Sequence, residues 1–170
     1  MTLIITDVES KNLSVKDPEH IYIEKSEKIL PCRGCFGCWV KTPGQCVLND
    51  GYGEIGKKLS ECDSLIMVSK LTYGSYSPFV KNVLDRSISY VHPYFRIYKN
   101  KMHHRKRYNN VLSLSAYFYS DPRSDNFSPS EDERNTAKEL VSAQSENLGA
   151  TVENITFLDT PVHLRSITLY

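Results

Sequence analysis

The sequence has no long hydrophobic run. It is 40% hydrophobic over 170 residues, but its apolar stretches are only as long as a β-strand, whereas a membrane-spanning helix needs about 20 apolar residues. The N-terminal segment, residues 1–7, also has neither a basic flank nor the small-residue cleavage site of a secretory signal. We therefore expect a cytoplasmic protein with no membrane partner.

An excess of charge of either sign is also missing. The chain has 21 Lys and Arg against 20 Asp and Glu, so it has no general attraction to nucleic acid or to a lipid surface. A basic and aromatic segment at residues 91–108 has no clear helix or strand pattern, and we interpret it as a lid or an interface. We expect no nucleic-acid partner, a small-molecule site, and a single domain over residues 1–170.

Cysteine is scarce outside one segment, residues 30–50. That segment holds four of the five cysteines, and Cys62 is the fifth. The four are Cys32, Cys35, Cys38 and Cys46. Gly34 and Gly37 lie between the thiols, where a backbone that folds around a compact centre needs a positive φ or a close approach. This spacing is consistent with one shared metal centre.

Buried thiols, disulfides and a four-thiolate zinc site are the alternatives to an iron–sulfur cluster. Zinc sites usually have two separated Cys-x2-Cys pairs, whereas a Cys-x2-Cys-x2-Cys run with a more distant fourth cysteine is closer to iron–sulfur ligation. We therefore predict that the four cysteines of residues 30–50 are cluster ligands. Zinc and metal-free thiols stay open as alternatives.

Strand and helix signals alternate along the chain. Strands are predicted near residues 2–8, 21–30, 64–69, 111–119 and 152–158, and helices near 49–62, 78–88 and 130–149. Asp50 is the predicted cap of the first of these helices. Residues 9–19 have no helical periodicity, so the helix expected after the first strand is missing or vestigial. The pattern predicts an α/β domain with a mostly parallel sheet of about five strands.

The ends of two strands carry the residues best suited to a ligand. Ligands of open α/β sheets lie beyond the carboxyl ends of the strands. The central strand at 64–69 continues into residues 70–77, which are aromatic, small and hydroxylic, and the strand at 111–119 also ends in small and aromatic residues. Such segments can line a flat ring.

Three features together resemble the flavodoxin-like iron–sulfur flavoproteins and NAD(P)H-dependent FMN reductases. They are the cysteine run after the second strand, the Asn49-Asp50 pair before the next helix, and the Tyr-Gly-Ser-Tyr-Ser loop at residues 73–77. The match runs in order over roughly residues 20–158. The resemblance implies a flavodoxin-like three-layer sandwich with strand order 2-1-3-4-5 and FMN at the carboxyl edge of the sheet. It also implies a [4Fe-4S] cluster on the cysteine loop.

The resemblance further implies the partners and the flavin contacts. NAD(P)H or a protein would donate electrons, a small molecule or protein would accept them, and homo-oligomers would bring the cluster loop of one subunit near the flavin of another. The loop after the third strand would embrace the ring with Leu71, Thr72, Tyr73, Gly74, Ser75, Tyr76 and Ser77. The exit of the fourth strand would face the ring with Ser115, Ala116 and Tyr117. No catalytic side chain is implied, because the flavin carries the chemistry.

The exit of the first strand departs from the family pattern. The family has a Ser-Pro-Arg-like loop there, which opens a helix that holds the FMN phosphate. This chain has residues 7–12 instead, with the carboxylates of Asp7 and Glu9. The sequence therefore supports two hypotheses. The first is an FMN-dependent oxidoreductase or electron-transfer flavoprotein, and the alternative is a non-catalytic binding or assembly subunit, or a thiol redox sensor, that has lost FMN binding.

Overall fold

The computed structural model describes residues 1–25, 29–120, 128–159 and 168–169. The strands are β1 (Thr2–Thr6), β2 (Ser14–Val15), β3 (His20–Glu24), β4 (Ser64–Lys70), β5 (Val91–Tyr98), β6 (Lys101–Lys106), β7 (Leu112–Tyr119), β8 (Ala150–Leu158) and β9 (Thr168–Leu169). The α-helices are α1 (Gly37–Val40), α2 (Ile55–Ser60), α3 (Pro78–Arg86) and α4 (Glu131–Leu148), and 3-10 segments cover Ser10–Asn12 and Ser87–Tyr90.

Five parallel strands form the central sheet, in the order β3-β1-β4-β7-β8. Counted along the chain within this sheet alone, their order is 2-1-3-4-5, and the predicted α/β fold class is confirmed. The detail differs because two small sheets, β2 with β9 and β5 with β6, lie outside it. The central strands β1 and β4 are almost fully buried, as expected for a parallel sheet covered on both faces.

The first crossover is shortened, as predicted. Between β1 and β3 the structure has the 3-10 segment Ser10–Asn12 and the two-residue strand β2, with no α-helix in that described stretch. The helix N-terminus that usually follows the first strand of such a sheet is therefore replaced by a short connection.

Residues 91–108 form an antiparallel hairpin, which the sequence did not predict. β5 pairs with β6, and Lys99 and Asn100 at the turn have φ of 50° and 60°. Two-residue hairpin turns need positive φ at both central positions, where glycine is the usual signal. That signal is weak here because a lysine occupies the first of the two positions.

The predicted start of α3 and both predicted ends of α4 are confirmed. Pro78 is at the start of α3, behind the Ser77 cap. Ser130 and Glu133 form a capping box on α4, and Gly149 ends that helix with φ of 65°. Among the described residues, no helix has both the length and the apolar character needed to cross a membrane.

The predicted start of α2 was wrong. The helix begins at Ile55 behind Glu54, and Asp50 lies in the loop before it. Asp50 does not cap the helix because its carboxylate accepts hydrogen bonds from the backbone of Leu30 and Tyr52 and from Arg86. This carboxylate joins the cysteine loop to the core.

Candidate functional site

A cavity of about 730 Å³ lies at the carboxyl edge of the sheet. It opens beside β1 and β4, where the strand order reverses, which is the usual ligand position in a sheet of this topology. We call it the ring cavity. Its lining comprises Asp7, Lys25, Lys70, Leu71, Thr72, Tyr73, Ser77, Pro78, Phe79, Tyr119, Ser120, Pro129 and Glu133.

A tight turn presents an exposed tyrosine at the rim of the ring cavity. Thr72 and Ser75 exchange backbone hydrogen bonds of 2.9 and 3.0 Å. The central residues, Tyr73 and Gly74, have φ of 51° and 71°, which is the pattern of a type I′ turn. Tyr73 is 85% exposed. A bulky residue with positive φ is uncommon, and such conformations concentrate at functional sites.

The rest of this loop is fixed by the protein core. A Cβ atom on Gly74 would lie 2.9 Å from Cβ of Thr136 and 3.2 Å from the carbonyl oxygen of Glu133, so the turn packs directly on α4. Tyr76 is buried, donates a 2.8 Å hydrogen bond to Gln144 and stacks on Phe118. The loop is therefore anchored on both sides of the exposed Tyr73.

The structure brings only part of the predicted flavin set to the ring cavity. Leu71, Thr72, Tyr73 and Ser77 line it, whereas Gly74 and Ser75 shape the turn and Tyr76 is buried.

The position predicted for the fourth-strand residues was wrong. Ser115, Ala116 and Tyr117 are buried inside β7, which continues to Tyr119. Tyr119 and Ser120 lie at the actual exit and line the cavity. The strand ends at residue 119, as the sequence predicted, and the error was to place residues 115–117 at its exit when they lie within it.

Asp7 occupies the exit of β1 within the ring cavity. Its carboxylate accepts a 3.0 Å hydrogen bond from the backbone N–H of Lys70 and another of 3.0 Å from the Tyr119 hydroxyl. Burial raises the pKa of Asp7, although hydrogen bonds from Ser77, Lys70 and Tyr119 act in the opposite direction. An acidic side chain is thus built into the edge of the sheet.

The four cysteines of residues 30–50 line one small cavity of about 30 Å³. Cys32 and Cys35 are exposed, Cys38 is buried and Cys46 is half-buried, and all are free thiols. Gly34 has φ of 62°, and a Cβ on Gly37 would lie 2.8 Å from the side chain of Val47. Both glycines therefore do what the sequence predicted.

The surroundings of Cys38 and of Cys46 differ. Burial raises the pKa of the Cys38 thiol, and the nearby cysteines add to the effect. The Arg86 guanidinium donates from Nε to Sγ of Cys46 at 3.1 Å. In the described residues, no three His, Cys, Asp or Glu side chains are arranged to hold a metal ion.

Arg86 and Asp50 fasten the cysteine loop to α3. The Arg86 side chain is fully buried and donates to both Asp50 carboxylate oxygens, at 2.7 and 2.9 Å, and to the carbonyl oxygen of Leu30 at 2.9 Å. These hydrogen bonds hold the pKa of Asp50 at about 2. The sequence analysis missed this pair, because a charged residue in an amphipathic helix is usually on its solvent face.

Comparison with known proteins gives relatives of one kind. An iron–sulfur flavoprotein of Methanocaldococcus jannaschii is 39% identical over 67 residues, which are 39% of this chain and 34% of that protein. An iron–sulfur flavoprotein of Archaeoglobus fulgidus is 34% identical over 74 residues, which are 44% of this chain and 32% of that protein. The resemblance predicted from the sequence is confirmed. The matches span about a third of each of these iron–sulfur flavoproteins, and no family model matches the chain.

Two solved azoreductase structures share the fold of this chain. An FMN-dependent NADH-azoreductase from Bacillus anthracis, solved with FMN, covers 95% of this chain and 88% of its own, with a TM-score of 0.55 and 14% identity. A second azoreductase from that species covers 96% of this chain and 88% of its own, with a TM-score of 0.56 and 11% identity. At this identity the likeness establishes the fold alone.

Proposed function

We propose that this chain is a flavin-dependent oxidoreductase whose flavin ring lies in the ring cavity. The observation that carries the proposal is the position of that cavity, at the reversal point of the sheet, with Leu71, Thr72 and Tyr73 along one side. The names of the curated relatives support a flavoprotein, and FMN, the flavin held by one azoreductase of the same fold, is the first candidate cofactor.

The loop at residues 71–77 would position the ring. A bound flavin would supply hydride and electron transfer. Four backbone amides of the loop are already bound within the protein, those of Leu71, Thr72, Ser75 and Ser77. The amide of Tyr73, which lines the cavity, is therefore the candidate to bind the polar edge of the ring. The exposed Tyr73 side chain would cover one face of it.

We further propose that the four cysteines Cys32, Cys35, Cys38 and Cys46 hold an iron–sulfur cluster. Their shared cavity and the donor from Arg86 to Cys46 support it. A cluster would supply one-electron transfer. Free thiols and a cluster both need a reducing compartment, which supports the cytoplasm.

The proposed electron donor is NAD(P)H or a protein, and the proposed acceptor is a small molecule or a protein. The proposed assembly is a homo-oligomer. The β5–β6 hairpin supports an assembly, because several of its large side chains are exposed. They are Tyr94, Phe95, Ile97 and Met102. A row of exposed apolar side chains is a typical feature of protein interfaces.

The visible spectrum of the chain purified without oxygen tests the proposed function. We expect yellow flavin bands with a broad brown shoulder from the cluster. A colourless preparation that takes up no added flavin would contradict the proposal. It would favour the alternative, a binding subunit or thiol redox sensor, which the missing helix after β1 supports.

Replacing Cys35 by serine is expected to remove the brown component and leave the yellow one. Cys35 lines the cysteine cavity and is remote in sequence from the loop at 71–77, so the two cofactors would be lost separately. Absorption and iron content measure the change. Cys62→Ala is the matched control, because Cys62 is buried in the core and the variant should keep its iron. Equal iron in Cys35→Ser and in the unchanged chain would exclude Cys35 as a ligand.

Replacing Tyr73 by serine is expected to weaken flavin binding about tenfold, because an aromatic stacking contact on a flat ring contributes roughly 1–3 kcal/mol. Flavin fluorescence quenching measures the affinity. Tyr94→Ser is the control, since Tyr94 is also exposed but lies on the hairpin. The same affinity in both variants would mean that Tyr73 does not touch the ring.

A further inference from the structure

A second cavity, of about 500 Å³, adjoins the ring cavity at the exit of β1. It shares Asp7 and Lys25 with the ring cavity, and we call it the tail cavity. Its lining comprises Asp7, Val8, Glu9, Ser10, Lys11, Glu24 and Lys25. A substituent that extends from a ring in the ring cavity toward β1 would enter the tail cavity.

Exits of first strands in such sheets usually hold a phosphate with backbone N–H groups and a helix N-terminus. Here the corresponding donors are taken by carboxylates of the chain itself. The Ser10 N–H donates to Glu24 at 2.6 Å. The Lys70 N–H and the Tyr119 hydroxyl both donate to Asp7, each at 3.0 Å. A phosphate would have to displace Asp7 and Glu24 to reach these groups.

The charges around the tail cavity also oppose an anion. Three carboxylates line it against two lysines, and one of these, Lys11, lies 2.5 Å from the carboxylate of Glu9. A phosphate monoester carries a charge of about −1.5 to −2 at neutral pH. The dianion can only accept hydrogen bonds from its surroundings, so it has nothing to offer the carboxylates of Asp7 or Glu24.

A neutral polyol chain has the opposite chemistry. Each of its hydroxyl groups can donate a hydrogen bond to a carboxylate oxygen and accept one from a lysine. Asp7, Glu24 and Lys25 present both kinds of partner in the tail cavity.

We propose that Asp7 and Glu24 make the site selective for a flavin without a phosphate, so that riboflavin binds more tightly than FMN. The inference rests on the proposed function, because it concerns the tail of the flavin whose ring lies in the ring cavity. It makes these two carboxylates specificity-determining residues. The phosphate of FMN does not fit the described exit of β1.

Titration of the full chain, freed of bound flavin, with riboflavin and with FMN tests the proposal. We expect riboflavin to bind at least about tenfold more tightly at low ionic strength, and the gap to narrow at about 1 M salt, where charge repulsion is screened. Riboflavin affinity itself should be nearly independent of salt. If the two carboxylates only supported the fold, the affinities for riboflavin and FMN would not differ in this salt-dependent way.

Asp7→Asn and Glu24→Gln should each shift the preference toward FMN by roughly threefold or more, because each removes one negative charge and keeps an acceptor oxygen. Either variant suffices if the other fails to fold. Glu153→Gln is the matched control, since Glu153 is exposed on β8 at the opposite edge of the sheet and should leave the ratio unchanged. Equal or tighter binding of FMN by the unchanged chain would overturn the proposal. Binding of neither flavin would overturn the proposed function as well.

Discussion

Replacing Asp50 by alanine is expected to lower the free energy of unfolding by about 3–5 kcal/mol, because it leaves a buried guanidinium without its counter-charge. The side chain of Arg86 is 0% exposed and that of Asp50 is 7% exposed. In the variant, Arg86 would keep, among the residues that the structure describes, only the Leu30 carbonyl oxygen and the Cys46 sulfur as acceptors. The destabilisation should therefore be large and should begin at the cysteine loop.

Urea unfolding followed by circular dichroism measures this effect. Asp85→Ala is the matched control, because Asp85 forms an exposed ion pair with Lys81 on the same helix as Arg86, at 2.6 Å. Exposed pairs contribute about 0–1 kcal/mol, so the control should lose little. Similar losses in the two variants would contradict the role of the buried pair.

The same pair makes the fold sensitive to acid. The pKa of Asp50 is lowered to about 2 by Arg86, below its ordinary value. A carboxylate with a lowered pKa contributes stability that is fully present above about pH 4 and is lost as the pH falls toward 2. The unchanged chain should therefore lose more stability across this range than the Asp50→Ala variant does.

Replacing Gly56 by valine is expected to destabilise the fold by about 3 kcal/mol through overpacking. A Cβ atom at this position would lie 2.8 Å from the backbone nitrogen of Tyr90 and 3.0 Å from the carbonyl carbon of Ser89, and it would also clash with the Ser89 hydroxyl. Backbone atoms cannot move aside as a flexible side chain can. The clash should outweigh the gain in helix propensity, which is below about 1 kcal/mol because valine is itself a poorer helix former than alanine.

The 3-10 segment Ser87–Tyr90, against which a side chain at position 56 would clash, also supports the cysteine loop. Trp39 donates its indole N–H to the carbonyl oxygens of Ile88 and Val91, at 3.1 and 3.0 Å. Trp39 is the one tryptophan of the chain, so its fluorescence reports on this contact. Gly56→Val should lower the melting temperature and shift the Trp39 emission. Lys57→Ala, an exposed change in the same helix, should do neither. Full stability of Gly56→Val would show that α2 can move away from the segment.

The loop at residues 70–77 could be predicted in part because its signals are local. A loop after the central strand and Pro78 at the start of α3 follow from the residues themselves, whose backbone preferences act over a few positions, whereas the positive φ of Tyr73 was not predicted. The prediction failed at Ser115 and Tyr117, because their place in the buried interior of the sheet depends on the pairing of β7 with β4 and β8, about 40 to 50 residues away along the chain. Local patterns carry no information about such pairing.

The sequence by itself determined the α/β class and the cysteine loop, because these depend on periodicity, spacing and turn residues that neighbouring positions specify. The strand order came from the flavodoxin-like resemblance that its motifs carry. Only the tertiary structure decided what the charged residues do. It paired Asp50 with Arg86 across 36 positions and placed Asp7 against the N–H of Lys70, 63 positions away. The stability of a charge depends on its burial and its partners, and the fold creates both.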